Sequence, residues 1–112
     1  MIKRRINIGN MDKEYNKVKL LIESFYKENF ILLIDTKNTT NVSYFHIYDF
    51  SIFLLELKKK KVQYLKKTII YVYTKSIYNL LYYLFTLVRP IAPVVVYLYN
   101  EDTISIIKTF YP

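Results

Sequence analysis

Apolar residues along this chain occur in two patterns, short unbroken runs and longer stretches in which they recur every three or four positions. The unbroken runs cover residues 30–34, 68–73 and 93–99, and they are rich in β-branched and aromatic side chains, which favour strands. A run without polar alternation is typical of a strand that is covered on both faces, as in parallel sheets. The runs therefore predict three interior strands.

Helical spacing separates these runs. Asn10 is placed to cap a first helix that extends to residue 28, with acidic residues in its first turn that complement the helix dipole. Asp49 is placed to cap a second helix over residues 50–64. A third helix spans residues 76–88 and ends before a proline. It is apolar nearly all round, so one of its faces is expected to remain uncovered.

The two ends of the chain complete the pattern. Residues 2–8 alternate loosely and carry three basic side chains, which suits an edge strand because charge discourages pairing with other chains. Residues 101–110 carry apolar side chains at helical spacing, which predicts a short final helix. The order β-α-β-α-β-α-β-α predicts one small α/β domain over residues 1–112, with a mainly parallel four-stranded sheet flanked by helices.

One stretch admits a different interpretation. Residues 77–99 are mostly apolar and are long enough to span a bilayer. Arg89 and two prolines interrupt the stretch, and an arginine at the centre of a membrane helix costs about 3 kcal/mol. The stretch is therefore predicted to divide into a helix, a turn and a strand.

Composition weakens any argument from charge. The formal net charge of +8 alone favours a polyanionic partner, such as nucleic acid or an anionic membrane. Isoleucine, lysine, asparagine, tyrosine and phenylalanine, all specified by A/T-rich codons, fill 57 of the 112 positions, so codon bias raises lysine and tyrosine without selection for binding. Much of the charge lies in two runs, residues 3–5 and 58–61, which are expected to be solvated.

The sequence offers little catalytic chemistry. A single glycine excludes the glycine-rich phosphate loops, and the absence of cysteine excludes disulfides, a thiolate nucleophile and cysteine-ligated zinc. The lone histidine, His46, lies near Ser43, Asp49 and Ser51 but without the spacing of a catalytic or metal motif. We therefore expect no enzyme activity, no cofactor and no metal. The basic start of the chain has no apolar stretch behind it, so a cytoplasmic protein is expected.

The element order and two short segments resemble the STAS domain of bacterial anti-anti-sigma factors. Residues 31–35 (ILLID) are similar to that family's central strand, and Asp49-Phe50-Ser51 before an apolar stretch is similar to its Asp-Ser-Ser-Gly helix start. The resemblance implies a STAS-like fold and a regulatory, protein-binding role. In that family the serine directly after the aspartate is phosphorylated; Phe50 stands at this position here, with Ser51 beside it.

Residues 68–99 are also similar to the core of CRAL-TRIO lipid-transfer domains, which share this layout. Those domains are longer, and the helices that wall their lipid pocket are missing from this chain. A large enclosed cavity is therefore not expected at this length.

Three kinds of partner remain open. The first is a protein bound at the loop and helix start after the second strand, or a second copy bound through the third helix. The second is a lipid or membrane surface bound through the apolar third helix and the lysines. The third is nucleic acid stacked on tyrosines beside lysines, although most tyrosines fall in predicted core elements. The candidate partner-binding residues are Asp35, Thr36, Asn38, Ser43, His46, Asp49, Ser51, Tyr82 and Tyr83.

Overall fold

Five strands and three helices make up the computed structural model, which describes every residue from Met1 to Pro112. The predicted α/β class is confirmed, with a five-stranded mixed sheet in place of the predicted four-stranded one. The strands are β1 Ile2–Asn7, β2 Phe30–Asp35, β3 Leu65–Val72, β4 Val94–Asn100 and β5 Thr103–Phe110; the helices are α1 Met11–Ser24, α2 Tyr44–Lys58 and α3 Lys75–Leu87.

The strands lie in the sheet in the same order as in the chain. Strands β1 to β4 are parallel, as predicted, and β5 runs antiparallel to β4. Ile6 pairs with Ile34, which pairs with Ile70 on β3. Ile70 pairs in turn with Val96. Since paired residues of neighbouring strands point to the same face, these side chains form an apolar row across four strands.

All three helices cover the same face of the sheet. The strands follow one another across the sheet in chain order. Right-handed crossovers between such strands place every helix on the same face. Buried side chains of α1 and α2 pack with Ile6 and Phe30, and apolar side chains of α3 pack with Val94 and Val96. The expectation that the interior strands are covered on both faces is wrong, because an unbroken apolar run does not show whether one face or both are covered. The opposite face of the sheet has no helix over it.

Capping side chains fix where the helices begin. Asn10 accepts a hydrogen bond from the Asp12 N–H at 3.0 Å and caps α1, as predicted. Helix α2 begins earlier than predicted, because Ser43 caps it and the His46 ring accepts a hydrogen bond from the Ser43 N–H in return, at 3.2 Å. The prediction that Asp49 caps this helix is wrong, since Asp49 lies inside α2.

The last element is a strand rather than the predicted helix. A two-residue turn, Glu101-Asp102, returns the chain along β4, and Glu101 adopts a positive φ of 54° there. Five of the eight β5 residues are β-branched, which favours an extended chain. A bulge opposite Val96 and Tyr97 shifts the alternation by one residue. Because of that shift, the apolar residues Ile104, Ile107 and Phe110 recur every three positions, a spacing that resembles that of a helix.

The core between the helices and the sheet is not completely filled. An apolar cavity of about 120 Å³ lies between the two layers, and Val94 is among its lining residues. Pockets that bind small molecules are larger, about 300–1,000 Å³. The cavity is therefore a packing void within the core.

We predict that Val94→Ile stabilises the protein, because the added methylene enters this cavity. Burying a methylene contributes about 0.8 kcal/mol, and the midpoint of urea unfolding should rise accordingly. Val96→Ile is the matched control, since Val96 is fully buried on the same strand but does not line the cavity. Overpacking at Val96 should cost about 1–3 kcal/mol. Equal effects of the two substitutions would contradict the assignment of the cavity.

Candidate interaction surfaces

The loop after β2 is tied to its neighbours rather than free. Thr36 is buried, and its N–H and hydroxyl both donate to the Tyr71 carbonyl oxygen, at 3.1 and 2.7 Å. The Thr39 hydroxyl donates to the Ile8 carbonyl oxygen at 2.6 Å. Of the two candidate residues in this loop, only Asn38 is exposed. The backbone of the loop is therefore held in place, while most side chains of residues 37–43 remain exposed.

Asp35, at the end of β2, links three neighbouring strands. Its carboxylate forms a salt bridge with Arg5 at 2.8 Å and accepts a hydrogen bond from the Lys37 N–H at 2.9 Å. The Tyr73 hydroxyl lies 3.4 Å away. Burial and the charge of Asp35 raise the pKa of Tyr73. Asp35 is thus a structural anion on the side of the sheet away from the helices.

Three of the predicted residues serve α2 itself. Ser43 and His46 form the reciprocal cap, and the second ring nitrogen of His46 lies 3.4 Å from the Asp12 carboxylate. Ser51 is buried, and its hydroxyl donates to the Tyr48 carbonyl oxygen one turn earlier. These groups are used within the fold and do not converge on an open site.

Asp49 joins α2 to α1. Its carboxylate accepts hydrogen bonds from the Tyr15 hydroxyl and from Lys19 Nζ, the latter at 3.2 Å. Both hydrogen bonds lower the pKa of Asp49, and the bond from Tyr15 has the larger effect. Burial and the contact with Asp49 raise the pKa of Tyr15. The group predicted as a helix cap is therefore a helix–helix contact.

We predict that Asp49→Asn lowers the free energy of unfolding at neutral pH by about 1 kcal/mol, because it weakens two hydrogen bonds to a carboxylate. The folded-state pKa of Asp49 is lowered, so its stabilisation is fully present above the ordinary value of about 3.9 and is lost as the pH falls further. The difference from wild type in urea unfolding should therefore shrink below about pH 4.

Asp102→Asn, at the exposed β4–β5 turn, is the control for this comparison and should change stability by less than about 0.5 kcal/mol. An Asp49→Asn difference that stays constant to about pH 2 would show that the charge of Asp49 contributes nothing.

Tyr82 and Tyr83 lie on α3, apart from the other predicted residues. Tyr82 is 49% exposed, and its ring centroid lies 6.1 Å from that of Phe110. Tyr83 is half-buried and packs edge-on against Tyr44, with ring centroids 5.0 Å apart. The predicted partner-binding residues thus lie in separate parts of the fold rather than on one surface.

A row of exposed apolar side chains lies on the solvent side of α2. Phe45, Tyr48, Ile52 and Leu55 follow one another at intervals of three, four and three residues, and they are 74%, 55%, 44% and 47% exposed. We name these four residues the α2 stripe. The other side of α2 is buried in the core, so this helix is apolar on both sides. The stripe was not predicted from the sequence because the predicted helix began at residue 50, after Phe45 and Tyr48.

The sheet face away from the helices carries apolar and aromatic side chains. Tyr71 and Tyr97 stack with ring centroids 5.7 Å apart, and Tyr73 and Tyr99 stack at 5.0 Å. The expectation that these tyrosines belong to the core is wrong, because no helix covers this face. Strand register, and for Tyr73 its stacking on Tyr99, places the following residues on this surface, which we name the open face: Lys3, Arg5, Asn7, Ile31, Leu33, Asp35, Lys67, Ile69, Tyr71, Tyr73, Val95, Tyr97, Tyr99, Ile104, Ile106 and Thr109.

Most of the excess positive charge lies along one edge of the sheet. The starts of the parallel strands and the ends of the three helices meet at this edge, because each helix leads back to the start of the next strand. Ten basic residues lie there with three acidic ones, which accounts for seven of the eight net positive charges. We name it the basic edge; its basic residues are Lys3, Arg4, Lys27, Lys58, Lys59, Lys60, Lys61, Lys66, Lys67 and Arg89.

No three histidine, cysteine, aspartate or glutamate side chains lie close enough together to hold a metal ion. No helix has both the length and the apolar character needed to cross a bilayer. Comparison of the chain with protein-family models, with curated proteins and with solved structures found no match. Function is therefore inferred from the α2 stripe, the open face and the basic edge.

Proposed function

We propose that the protein is a non-enzymatic protein-interaction module that binds a second copy of itself through the α2 stripe. The observation that carries this proposal is a row of four large apolar side chains on the solvent side of a helix whose other side is already buried. A helix that is apolar all round is typically buried, and exposed apolar patches often mark interfaces.

The spacing of the stripe suits a helix partner. Intervals of three and four residues are those of the seam between paired helices, and ten residues rise about 15 Å along a helix. Two identical seams related by a twofold axis are self-complementary. In an antiparallel pair, the aromatic end formed by Phe45 and Tyr48 meets the aliphatic end formed by Ile52 and Leu55 of the other copy.

Charge favours the antiparallel arrangement. Lys58 to Lys61 lie at the carboxyl end of α2. A parallel pair would bring the two sets of lysines together, whereas an antiparallel pair brings each set towards the helix starts of the other copy. Asp12 is 65% exposed at that end of the helix layer. An antiparallel pair therefore avoids the repulsion between the two sets of lysines.

The helix layer has about the area that a weak dimer needs. Three helices of about 20 Å, packed about 9 Å apart, present about 500 Å² per copy. Two copies would bury about 1,000 Å², near the lower limit for a specific interface. Tyr44, Tyr82 and Leu87 are also exposed on the helices and extend the apolar area. We therefore expect dimerisation to depend on concentration.

A STAS-like fold and a regulatory role are part of this proposal. The parallel βαβ layout, with residues 31–35 on an interior strand, supports them. Two features on which the resemblance was based differ in the structure. Asp49 lies inside α2 rather than at its start, and the final element is a strand rather than a helix. Ser51 is 5% exposed, so the proposed regulation does not include its phosphorylation.

We predict that Ile52→Glu and Tyr48→Glu abolish dimerisation, because each buries two like charges at the twofold contact. In light scattering, the mass of the wild type should rise from 13.6 kDa towards twice that value with concentration, and both variants should stay at the monomer mass. Ile106→Glu is the control, since Ile106 is 59% exposed on the other side of the sheet. It should dimerise like the wild type.

Two results would refute this proposal. One is a wild type that remains monomeric at every concentration. The other is loss of the dimer in Tyr82→Glu but not in Ile52→Glu, which would place the contact on α3.

A further inference from the structure

The open face and the basic edge share Lys3 and Lys67, and together they form one continuous surface. We propose that this surface binds single-stranded nucleic acid that runs along the strands, with phosphates on Lys3 and Lys67 at the basic edge and the bases of the following nucleotides on the tyrosines of the open face. The open face lies on the opposite side of the sheet from the α2 stripe, so the tyrosines and Lys67 stay accessible in the proposed dimer.

The four tyrosines form an aromatic surface that extends over two neighbouring strands, β3 and β4. Tyr71 and Tyr97 are paired in register, and the stacked rings of Tyr73 and Tyr99 continue the block towards the β4–β5 turn. Tyr99 is 38% exposed, and no helix covers any of the four. Every base has a flat π face, so such a surface can stack bases of any sequence.

Charge complementarity points to a polyanion. On the open face, the positive charge of Arg5 is balanced by Asp35 at 2.8 Å. Lys3 and Lys67 are exposed and form no salt bridge. Within the strands every unpaired charge of this face is therefore positive, and the adjoining basic edge adds to it; Glu101 and Asp102 are exposed in the β4–β5 turn, at the other end of the face. Clustered lysines and arginines beside aromatic side chains fit a phosphate backbone with unstacked bases.

Codon bias does not explain this arrangement. A/T-rich codons raise the number of lysines and tyrosines throughout the chain, but they do not place the lysines along one edge or four tyrosines in one block on an uncovered face. The grouping of the lysines at one edge and of the four tyrosines on one face follows from the fold. It is therefore evidence for binding that the composition alone cannot provide.

The dimensions suit a single strand. Along β3 and the residue that follows it, the open face presents Lys67, Ile69, Tyr71 and Tyr73 in succession, a span of about 20 Å at about 3.3 Å per residue. A nucleic-acid strand that runs along β3 can place a phosphate near Lys67 and the bases of its next nucleotides on the tyrosines. A duplex keeps its bases stacked inside and cannot use them. An anionic membrane would contact the basic edge but would not require the tyrosine block.

The test measures binding of fluorescent oligo(U) and oligo(dT) of about 12 nucleotides, a length within known single-strand site sizes, and of a duplex of the same length. Fluorescence anisotropy at about 50 mM salt should show that one or both single strands bind more tightly than the duplex. The stronger of the two single strands identifies RNA or DNA as the ligand. Ile52→Glu should bind as the wild type does.

The aromatic part of the site is tested with Tyr99. Tyr99→Ala should weaken single-strand binding about 5- to 100-fold, the range for loss of one stacked base, whereas Tyr99→Phe should retain it. Tyr82→Ala is the matched control, because Tyr82 is a similarly exposed tyrosine on the helix side. Equal effects of the two alanine variants would overturn the proposal, provided that circular dichroism shows both to be folded.

The charged part is tested with Lys3→Gln combined with Lys67→Gln. If each lysine contacts one phosphate, the slope of log K against log salt should fall by about 1.4 for a single strand. Lys13→Gln with Lys17→Gln, on the exposed side of α1, should leave the slope unchanged. Duplex binding as tight as single-strand binding would overturn the proposal. So would flotation with phosphatidylserine vesicles without oligonucleotide binding.

Discussion

Burial of three helices against one side of a five-stranded sheet is the interaction on which the rest of this structure depends. The apolar row through Ile6, Ile34, Ile70 and Val96 provides the sheet side of that core, and fully burying one such side chain contributes about 1.5–3 kcal/mol. Because the strands follow chain order and the crossovers share one hand, none of the three helices reaches the second face.

This one-sided layering separates two kinds of surface. The helix layer presents the uncharged α2 stripe, while the sheet presents tyrosines beside the basic edge. Since the two surfaces lie on opposite sides of a thin molecule, both can be occupied together. A twofold pair formed through the helix layers would leave two open faces pointing outwards.

Local signals in the sequence predicted the parallel strands and the start of α1, because a cap such as Asn10 and the strand-length runs act within a few residues. They could not show what covers an apolar side chain. Ile31 and Leu33 lie in a run typical of two-sided burial, yet both face the uncovered side. Asp49 was assigned to a cap because its real partners, Tyr15 and Lys19, lie at least 30 residues away in the chain. The predicted site was therefore placed on groups that hold the fold together.

The claim that one sheet face is open is tested most directly by cysteine accessibility along β4. The chain has no cysteine, so Val95→Cys on the open face and Val96→Cys under the helices can each be introduced alone. We predict that a maleimide modifies Val95→Cys at least about tenfold faster than Val96→Cys in the native protein, because position 96 is reached only through local unfolding. Equal protection at the two positions, or faster reaction at position 96, would contradict a sheet that is covered on one side only.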